Sequence, residues 1–317
     1  MARASLSKMS WEKYSLRPVQ GAHPVVLPVF LYGTAWKKDQ TTDLVHQALS
    51  AGFRAVDTAA QPKHYREDLV GEGIRRALRD GVVRREDLHI QTKFTSVNGQ
   101  SPDNMPYDAQ AAVTDQVHAS VKSSLHHLRP AEAPESARDA YIDLLILHSP
   151  LPTMAQTLEA WSALETYVPH RIRNLGISNC TLPILKELSS LVKVKPAVVQ
   201  NRFYVATQYD VPLRAFCREN QIIYQSFWTL TANPELIRSD AVLLLASRVG
   251  ISPAASLYCL VLGLGGTTML NGTTKQDRMV ADLAAPKQVE QFSHEHPELW
   301  QRIMENFQEM TGDHVTL

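Results

Sequence analysis

Residues 142–150 have the sequence IDLLILHSP, in which four consecutive apolar residues run directly into His148. An apolar run of this kind is typical of a strand that is buried on both faces, as in a parallel sheet covered by helices. Residues 54–57 (RAVD) and 88–93 (LHIQTK) have a similar form and end at Asp57 and Lys93. Three predicted strands therefore end at a group that can move or stabilise a proton, and a further stretch closes at Tyr65.

Short strand-like runs alternate with longer helical patterns along the whole chain. The eight predicted strands are residues 25–32, 54–57, 88–93, 142–148, 174–178, 197–203, 222–227 and 267–271. Eight strand–helix units in series predict the α/β class and a closed (β/α)8 TIM barrel. The alternative is an open doubly wound sheet, whose usual mark is a Gly-x-Gly-x-x-Gly turn after the first strand. The first strand ends at Tyr32-Gly33-Thr34 instead, which lacks that turn.

Three helix ends can be predicted from single residues. A helix whose apolar stripe includes Leu49 should end at Gly52, because glycine readily adopts the left-handed conformation of a helix stop. Ser252 precedes a proline and should cap the helix that begins there. Thr181 should cap a helix over residues 182–191 in the same way.

The 317 residues are predicted to form one barrel domain. Residues 1–24 are an N-terminal extension, and residues 285–317 are a C-terminal tail with a helix. Leu299, Ile303 and Phe307 stand at helical spacing in that tail and should pack on the barrel.

Composition excludes several classes of partner. Lys and Arg together number 32, as do Asp and Glu, so the balanced charge predicts no nucleic-acid or anionic-membrane partner. The three cysteines are widely spaced and form neither a disulfide framework nor a metal-ligand pattern. Residues 1–17 lack the apolar core of a signal peptide, and no apolar run approaches the ~20 residues that span a bilayer. We therefore expect a cytoplasmic protein without a metal site.

The strand ends of a parallel barrel meet on one rim, so Asp57, Tyr65, Lys93 and His148 should form a general-acid site that protonates a carbonyl oxygen. A free phenol has a pKa of about 10, and a nearby ammonium lowers it. We expect Lys93 to act on Tyr65 in this way and Asp57 to hold the Lys93 head group, while His148 orients the carbonyl or relays a proton. Taken alone, each residue has an ordinary structural explanation, but the set of four outweighs those explanations.

The chain resembles the aldo-keto reductase superfamily over residues 25–283. The segments that carry the resemblance lie at predicted strand ends: Gly33-Thr34, GFRAVDTA (52–59), Tyr65 with Val70-Gly71, Thr92-Lys93, DLLILHSP (143–150), LGISN (175–179), Gln200-Asn201 and TTKQDR (273–278). Residues 61–65 (QPKHY) resemble a variant of fungal-type members. The resemblance implies a (β/α)8 barrel that binds NADP(H) across the C-terminal face of its strands and reduces aldehydes or ketones. It also implies that Asp57, Tyr65, Lys93 and His148 are the catalytic tetrad.

The same resemblance assigns residues to the cofactor. Ser178, Asn179 and Gln200 match positions that bind the nicotinamide carboxamide. Ser226 matches a pyrophosphate contact, and Thr273 and Arg278 match positions that bind the adenosine 2′-phosphate. The other predicted cofactor contacts are Gly33, Thr34, Asp57, Gln225 and Trp228. The predicted cofactor is NADP(H), with NADPH preferred over NADH.

Three departures from the family pattern affect these assignments. More residues than usual separate Asp57 from Tyr65, which makes His64 an alternative proton donor. Gln225 stands where the family has a tyrosine that stacks on the nicotinamide. Gly272 stands where a lysine often binds the 2′-phosphate, a loss that Lys275 could offset.

The predicted substrate pocket is formed by Trp36, Phe94 and Trp228, and the predicted partner is a small-molecule carbonyl compound. Two other functions stay open. One is an NADP(H)-binding sensor or interaction protein with little turnover. The other is a barrel recruited for a non-redox cyclisation or dehydration in a biosynthetic pathway, which the longer loop and Gln225 would favour. A monomer or weak homo-oligomer is expected.

Overall fold

A computed structural model describes residues 11–21 and 23–313. The predictions for residues 1–10 and 314–317 lie outside this part of the chain. A small antiparallel sheet comes first, with β1 (Lys13–Ser15) paired to β2 (Val26–Pro28). Eight parallel strands then close into a barrel, so the predicted (β/α)8 fold is confirmed. The barrel strands are β3 (Phe30–Gly33), β4 (Ala55–Asp57), β5 (His89–Phe94), β6 (Leu144–Leu147), β7 (Leu175–Ser178), β8 (Val198–Arg202), β9 (Ile223–Phe227) and β10 (Thr267–Asn271).

The first predicted strand, residues 25–32, is two strands in the structure. Pro28 ends β2 because it has no amide hydrogen to continue a ladder. The Val29 amide donates to the Glu12 carbonyl at 2.9 Å, and β3 begins one residue later in a different sheet. Residues 11–16 of the predicted N-terminal extension therefore join the core, where Trp11 lies 5.6 Å from Trp300 between ring centroids.

Helices fill the connections between the strands and flank the barrel. They are α1 (Thr41–Ala51), α2 (Glu67–Arg79), α3 (Val113–His127), α4 (Met154–Glu165), α5 (Leu182–Leu191), α6 (Val211–Glu219), α7 (Pro234–Ile237), α8 (Asp240–Val249), α9 (Pro253–Gly263), α10 (Gln276–Glu295) and α11 (Pro297–Thr311). Over the described residues, no single helix is long and apolar enough to cross a membrane. Only α8 and α9 together reach that length and composition, and they are bent by 107° where they meet.

Two of the three predicted helix ends have the expected geometry in the structure. Gly52 stops α1 with φ 117°, and the Ser252 hydroxyl caps α9 by accepting from the Ala255 amide at 3.1 Å. Thr181 precedes α5 as predicted, but its side chain makes no capping hydrogen bond. The predicted tail does not begin at residue 285, since α10 continues to Glu295. The terminal helix is α11, with Phe307 buried against the barrel.

Successive side chains of β5 point alternately into the barrel and out toward the helices. Gln91 and Lys93 point into the barrel, where both donate to the carboxylate of Asp57. Thr92 points outward and donates to Glu67 at the start of α2. The period of two residues in a strand thus brings the polar residues of β5 into the barrel interior.

Gly71 sets how closely α2 approaches α3. A Cβ atom at this position would lie 1.9 Å from the carbonyl oxygen of His127, far inside the contact distance of a non-bonded carbon and oxygen. The same carbonyl accepts a hydrogen bond from Arg75 at 2.8 Å, so it is held in place. The helix contact therefore requires glycine here.

We predict that Gly71→Ala destabilises the fold by about 1–3 kcal/mol, because the added methyl group must push α3 away. Helix propensity alone predicts the opposite sign, since alanine favours a helix over glycine by about 1 kcal/mol. Urea unfolding measures the difference. Arg79→Ala, on the exposed side of the same helix, should change stability by less than about 0.5 kcal/mol. A stabilised Gly71→Ala protein would contradict the close approach.

Candidate active site

The four predicted catalytic residues meet at the C-terminal rim of the barrel. Asp57 ends β4, Lys93 lies near the end of β5, and His148 directly follows β6. The Lys93 Nζ atom lies 2.6 Å from Asp57 Oδ1 and 5.2 Å from the ring centroid of Tyr65. The rings of Tyr65 and His148 lie 6.2 Å apart and nearly perpendicular, at 71°. The structure thus places a phenol and an imidazole beside a buried ion pair.

Asp57 is 1% exposed and receives most of its hydrogen bonds on one oxygen. Its Oδ1 accepts from Lys93 at 2.6 Å, from Gln91 at 2.6 Å and from Gln200 at 2.9 Å. Such donors are needed because a buried charge is costly unless it is paired and hydrogen-bonded. The Oδ2 atom is also buried but has no partner in the described part of the chain. The carboxylate of Asp57 therefore keeps one buried acceptor that these residues do not satisfy.

The position of Asp57 is fixed from the neighbouring strand. The Thr34 amide and hydroxyl both donate to the Asp57 carbonyl, at 3.1 and 2.8 Å. Gly33 pairs with Asp57 in the register of β3 and β4. Thr34 and Gly33, both predicted as cofactor contacts, thus also determine where the carboxylate stands.

The longer loop between Asp57 and Tyr65 is folded by its own hydrogen bonds. The Thr58 and Ala60 amides donate to carbonyls of β5, and the Tyr65 amide donates to the Gln61 carbonyl at 3.0 Å. The Gln61 side chain donates to the Gly99 carbonyl at 2.6 Å. These contacts turn the chain back over β5, so that Tyr65 reaches the rim despite the additional residues.

The expectation that Lys93 lowers the pKa of Tyr65 is wrong for this structure. Burial and the nearby negative charge of Asp57 raise the pKa of Tyr65 well above its usual value. The positive charge of Lys93 does not reverse this shift because the ammonium is paired with Asp57. Burial also lowers the pKa of Lys93, and the Asp57 carboxylate opposes that shift. Tyr65 is consequently a neutral phenol at physiological pH.

His148 is a neutral imidazole whose Nδ1 atom is hydrogen-bonded to a neighbouring side chain. Burial, together with the charges of Lys93 and His64, lowers its pKa to about 3. Its Nδ1 atom lies 2.6 Å from the Thr95 hydroxyl. A ring whose Nδ1 accepts from Thr95 carries its hydrogen on Nε2, because a neutral imidazole has one donor and one acceptor.

A network of buried amides under the rim was not predicted. Gln91 donates to Gln225 at 2.7 Å, and Gln200 donates to Gln225 at 2.6 Å. Both donors also bind Asp57, so the three glutamines form one connected group with the ion pair. Gln225 is fully buried and lies directly opposite Gln200 in the register of β8 and β9. The signal in the sequence was the alternation of His89, Gln91 and Lys93, which marks one polar face of β5.

The residues predicted at the nicotinamide end lie on β7 and β8. Ser178 donates to the Gln200 carbonyl at 2.6 Å, which joins the two strand ends. Asn179 adopts a positive φ of 52° and donates from its side chain to the His148 carbonyl at 2.9 Å. These polar groups therefore stand between the catalytic residues and the end of β8.

The residues predicted along the phosphates lie on β9 and β10. The Ser226 hydroxyl is buried and lies 2.5 Å from that of Thr229. Trp228 has a positive φ of 56°, is 52% exposed and stacks under the guanidinium of Arg202 at 4.0 Å. Arg278 lies exposed in the first turn of α10, which begins at Gln276 directly after the exposed Lys275. Thr273 is half-buried just before that helix.

The structure divides the three predicted pocket residues. Trp36 is 61% exposed on the rim, and its ring lies 3.9 Å from that of His64. Trp228 is likewise accessible. The assignment of Phe94 is corrected, because its ring is 1% exposed and packs on Tyr107 outside the barrel wall. Phe94 follows Lys93, so the strand alternation turns it away from the site.

Comparisons with known proteins bear on the family and the fold of the chain. A model of the Aldo/keto reductase family matches residues 30–232. The chain is 28% identical over 262 residues to an uncharacterized oxidoreductase of Schizosaccharomyces pombe, with 82% of each protein covered. It is 29% identical over 254 residues to a glycerol 2-dehydrogenase (NADP(+)) of Hypocrea jecorina, covering 75% of this chain and 76% of that protein. The fold is shared with a Bombyx mori aldo-keto reductase crystallised with NADP, at a TM-score of 0.69 and 21% identity, covering 89% of this chain and 92% of that one.

We predict that His148 stays neutral from pH 8 to pH 5, since its pKa is lowered to about 3. Histidine ¹⁵N shifts, assigned with a His148→Gln variant, would follow the ring. His127 is an internal reference, because its hydrogen bond to Glu67 raises its pKa and it should be the earlier of the two to protonate on acidification. A midpoint near the ordinary histidine value for His148 would mean that its ring is solvated.

We predict that Gln91→Met lowers the free energy of unfolding by about 1–3 kcal/mol, because Asp57 and Gln225 each lose a buried hydrogen-bond donor. Chemical denaturation measures the loss. Gln301→Met is the matched control, since among the described residues the Gln301 amide bonds only to Glu305 on the exposed face of α11. Equal stability of the two variants would show that the amide network contributes nothing to the fold.

Proposed function

The chain belongs to the aldo/keto reductase family, and from this premise we propose that it is an NADP(H)-dependent oxidoreductase that reduces an aldehyde or a ketone to an alcohol, with Tyr65 as the general acid. The observation that carries the proposal is the placement of the Tyr65 ring within 5.2 Å of a lysine that is itself paired with a buried aspartate. His148, which follows β6, also lies beside Tyr65, with 6.2 Å between the ring centroids.

Tyr65 supplies the proton. Its raised pKa keeps the phenol protonated at neutral pH, which suits a donor. An alkoxide that forms on the carbonyl oxygen is a stronger base than a phenolate, so the proton passes from Tyr65 to that oxygen. Negative charge then develops on Tyr65, and the ammonium of Lys93 stabilises it electrostatically. Asp57 keeps the ammonium at this position through its hydrogen bond at 2.6 Å.

His148 orients the substrate. With Nδ1 accepting from the Thr95 hydroxyl, the Nε2 hydrogen is available to the carbonyl oxygen. A neutral imidazole suits this role because it donates a hydrogen bond without adding a second positive charge beside Lys93. Tyr65 and His148 then approach the same oxygen from two sides.

The residues on the rim fit a nicotinamide cofactor, which when bound supplies the hydride. Ser178, Asn179 and Gln200 would hold the carboxamide, and Oδ2 of Asp57 is a buried acceptor without a partner in the described part of the chain. Ser226 and Trp228 would flank the pyrophosphate, and Thr273 and Arg278 would bind the 2′-phosphate. Gln225 would not stack on the ring, because its amide is engaged below the rim by Gln91 and Gln200. The relative from Hypocrea jecorina is named as an NADP(+) enzyme, which supports NADP(H) as the proposed cofactor.

Trp36 and Trp228 would line the substrate entrance, since both rings are exposed on the rim. The Trp36 amide donates to the His64 carbonyl at 2.8 Å, which ties this wall of the entrance to the loop that carries Tyr65. The substrate is therefore proposed to be a small carbonyl compound with an apolar portion that packs against these rings.

We predict that Tyr65→Phe reduces kcat for aldehyde reduction by at least about 100-fold, because the general acid is removed. The dissociation constant for NADPH should stay within about twofold of wild type, since the phenol does not hold the cofactor. NADPH oxidation is followed by its absorbance and binding by fluorescence. Tyr141→Phe is the matched control, because within the described part of the chain the Tyr141 hydroxyl donates only to the Arg85 carbonyl, at 3.5 Å and away from the site.

Two results would count against this assignment. If Tyr65→Phe keeps full activity while His64→Gln loses it, the acid is His64. If the wild-type protein binds NADPH but reduces no member of a broad aldehyde and ketone panel, a sensor function is the better account. Product formation without any nicotinamide would favour non-redox chemistry.

A further inference from the structure

Arg202 is the last residue of β8, and the sequence patterns did not single it out. Successive side chains alternate between the two faces of a strand, so Arg202 takes the same side as Gln200, about 6.6 Å further toward the rim. The Gln200 side chain points into the barrel, where it donates to Asp57 Oδ1 at 2.9 Å. The side chain of Arg202 therefore leaves β8 on the side that faces the candidate active site.

Three aromatic rings surround the guanidinium of Arg202. Its central carbon lies 4.0 Å from the ring centroid of Trp228, 5.2 Å from that of Tyr204 and 5.8 Å from that of Phe227. Trp228 has a positive φ of 56°, which is uncommon for a residue other than glycine, and its carbonyl accepts from the Ala232 amide at 2.9 Å. A flat guanidinium that lies over a ring keeps its N–H donors directed along its own plane.

The guanidinium of Arg202 has no acidic partner in the described part of the chain. Its Nε atom is buried and makes no hydrogen bond there. The carboxylate of Asp210 instead accepts from Asn201 at 2.9 Å and from Tyr224 at 3.0 Å. Asn201 takes the opposite side of β8 from Arg202, because it is the adjacent residue of the strand. Aromatic faces attract a cation but do not neutralise it, so this cation still lacks a counter-ion.

We propose that Arg202 binds a carboxylate of the substrate, and that the protein therefore prefers carbonyl compounds that carry one. This inference rests on the proposed function, because it names the substrate class of the same site. A planar carboxylate accepts two parallel N–H bonds from a guanidinium. Trp228, which is 52% exposed, would pack on the apolar portion of the substrate between this carboxylate and the carbonyl group at Tyr65 and His148.

The test compares 4-carboxybenzaldehyde with methyl 4-formylbenzoate, which has the same ring and aldehyde but no charge. Wild-type kcat/KM should be about tenfold higher for the carboxylate, the effect expected of one charge-assisted hydrogen bond. Arg202→Met should abolish this preference by raising KM for the carboxylate, with kcat changed by less than about twofold, because the contact is equal in the ground state and the transition state. The value for the ester should change by less than about twofold.

Two further variants and two further measurements control the result. Arg248→Met removes an exposed arginine from the last turn of α8 and should leave the preference unchanged. Arg202→Lys keeps the charge but loses the planar fork, so it should retain only part of the preference. The wild-type preference should fall as KCl is added. The dissociation constant for NADPH, measured by fluorescence, should stay within about twofold of wild type in Arg202→Met.

The proposal is overturned if Arg202→Met affects both aldehydes equally or neither of them. It is also overturned if the variant weakens NADPH binding about tenfold, because Arg202 would then contact the cofactor. A larger effect of the variant on 4-formylphenyl phosphate than on 4-carboxybenzaldehyde would identify the anion as a phosphate and overturn the carboxylate.

Binding of 4-(hydroxymethyl)benzoate, followed by tryptophan fluorescence, separates this inference from the proposed function. Binding that requires Arg202, in a protein that reduces no aldehyde, would support the carboxylate site and overturn the proposed function. Reduction of both aldehydes with equal kcat/KM would support the proposed function and overturn the carboxylate site.

Discussion

The buried ion pair between Lys93 and Asp57 is the interaction on which the site depends. Two charges removed from water are stable only if each is paired and further hydrogen-bonded. The Thr58 carbonyl provides that additional partner for Lys93, and the amides of Gln91 and Gln200 provide it for Asp57. The pair is thereby held in one arrangement. Its position determines the charge that Tyr65 and His148 face. The half-buried Tyr65 ring lies 5.2 Å from the ammonium of this pair.

Because the barrel is closed, strand ends that are far apart in the sequence meet on one rim, and a small number of residues can form the site. The polar groups come from β4, β5, β8 and β9, and the parallel register brings them to one height above the core. The loop before α2 then needs only to place the phenol of Tyr65 beside these strand ends. Its hydrogen bonds to β5 and to Gly99 hold it in this position. Strand ends fix the charges, and one loop fixes the proton donor.

Much of this arrangement could be predicted from the sequence, because a strand end is visible where an apolar run stops at a polar residue. Asp57, Lys93 and His148 were found in that way, as was the barrel. Pairing across the barrel could not be predicted, since it depends on the register of strands far apart in the chain. That is why the bonds between Gln91 and Gln225 were missed. The error for Phe94 is local, since the alternation along β5 turns the residue after Lys93 away from the site.

Gln225 shows how one substitution changes the requirements on its neighbours. A buried amide must satisfy both its donor and its acceptor, whereas a buried aromatic ring has no such need. Gln225 meets the requirement by accepting from Gln91 and Gln200 and donating back to Gln91 at 3.2 Å. Neither partner could become apolar without leaving an unsatisfied group below the rim. The three amides therefore depend on one another, and through Asp57 they connect the proposed nicotinamide contact at Gln200 to the ammonium beneath Tyr65.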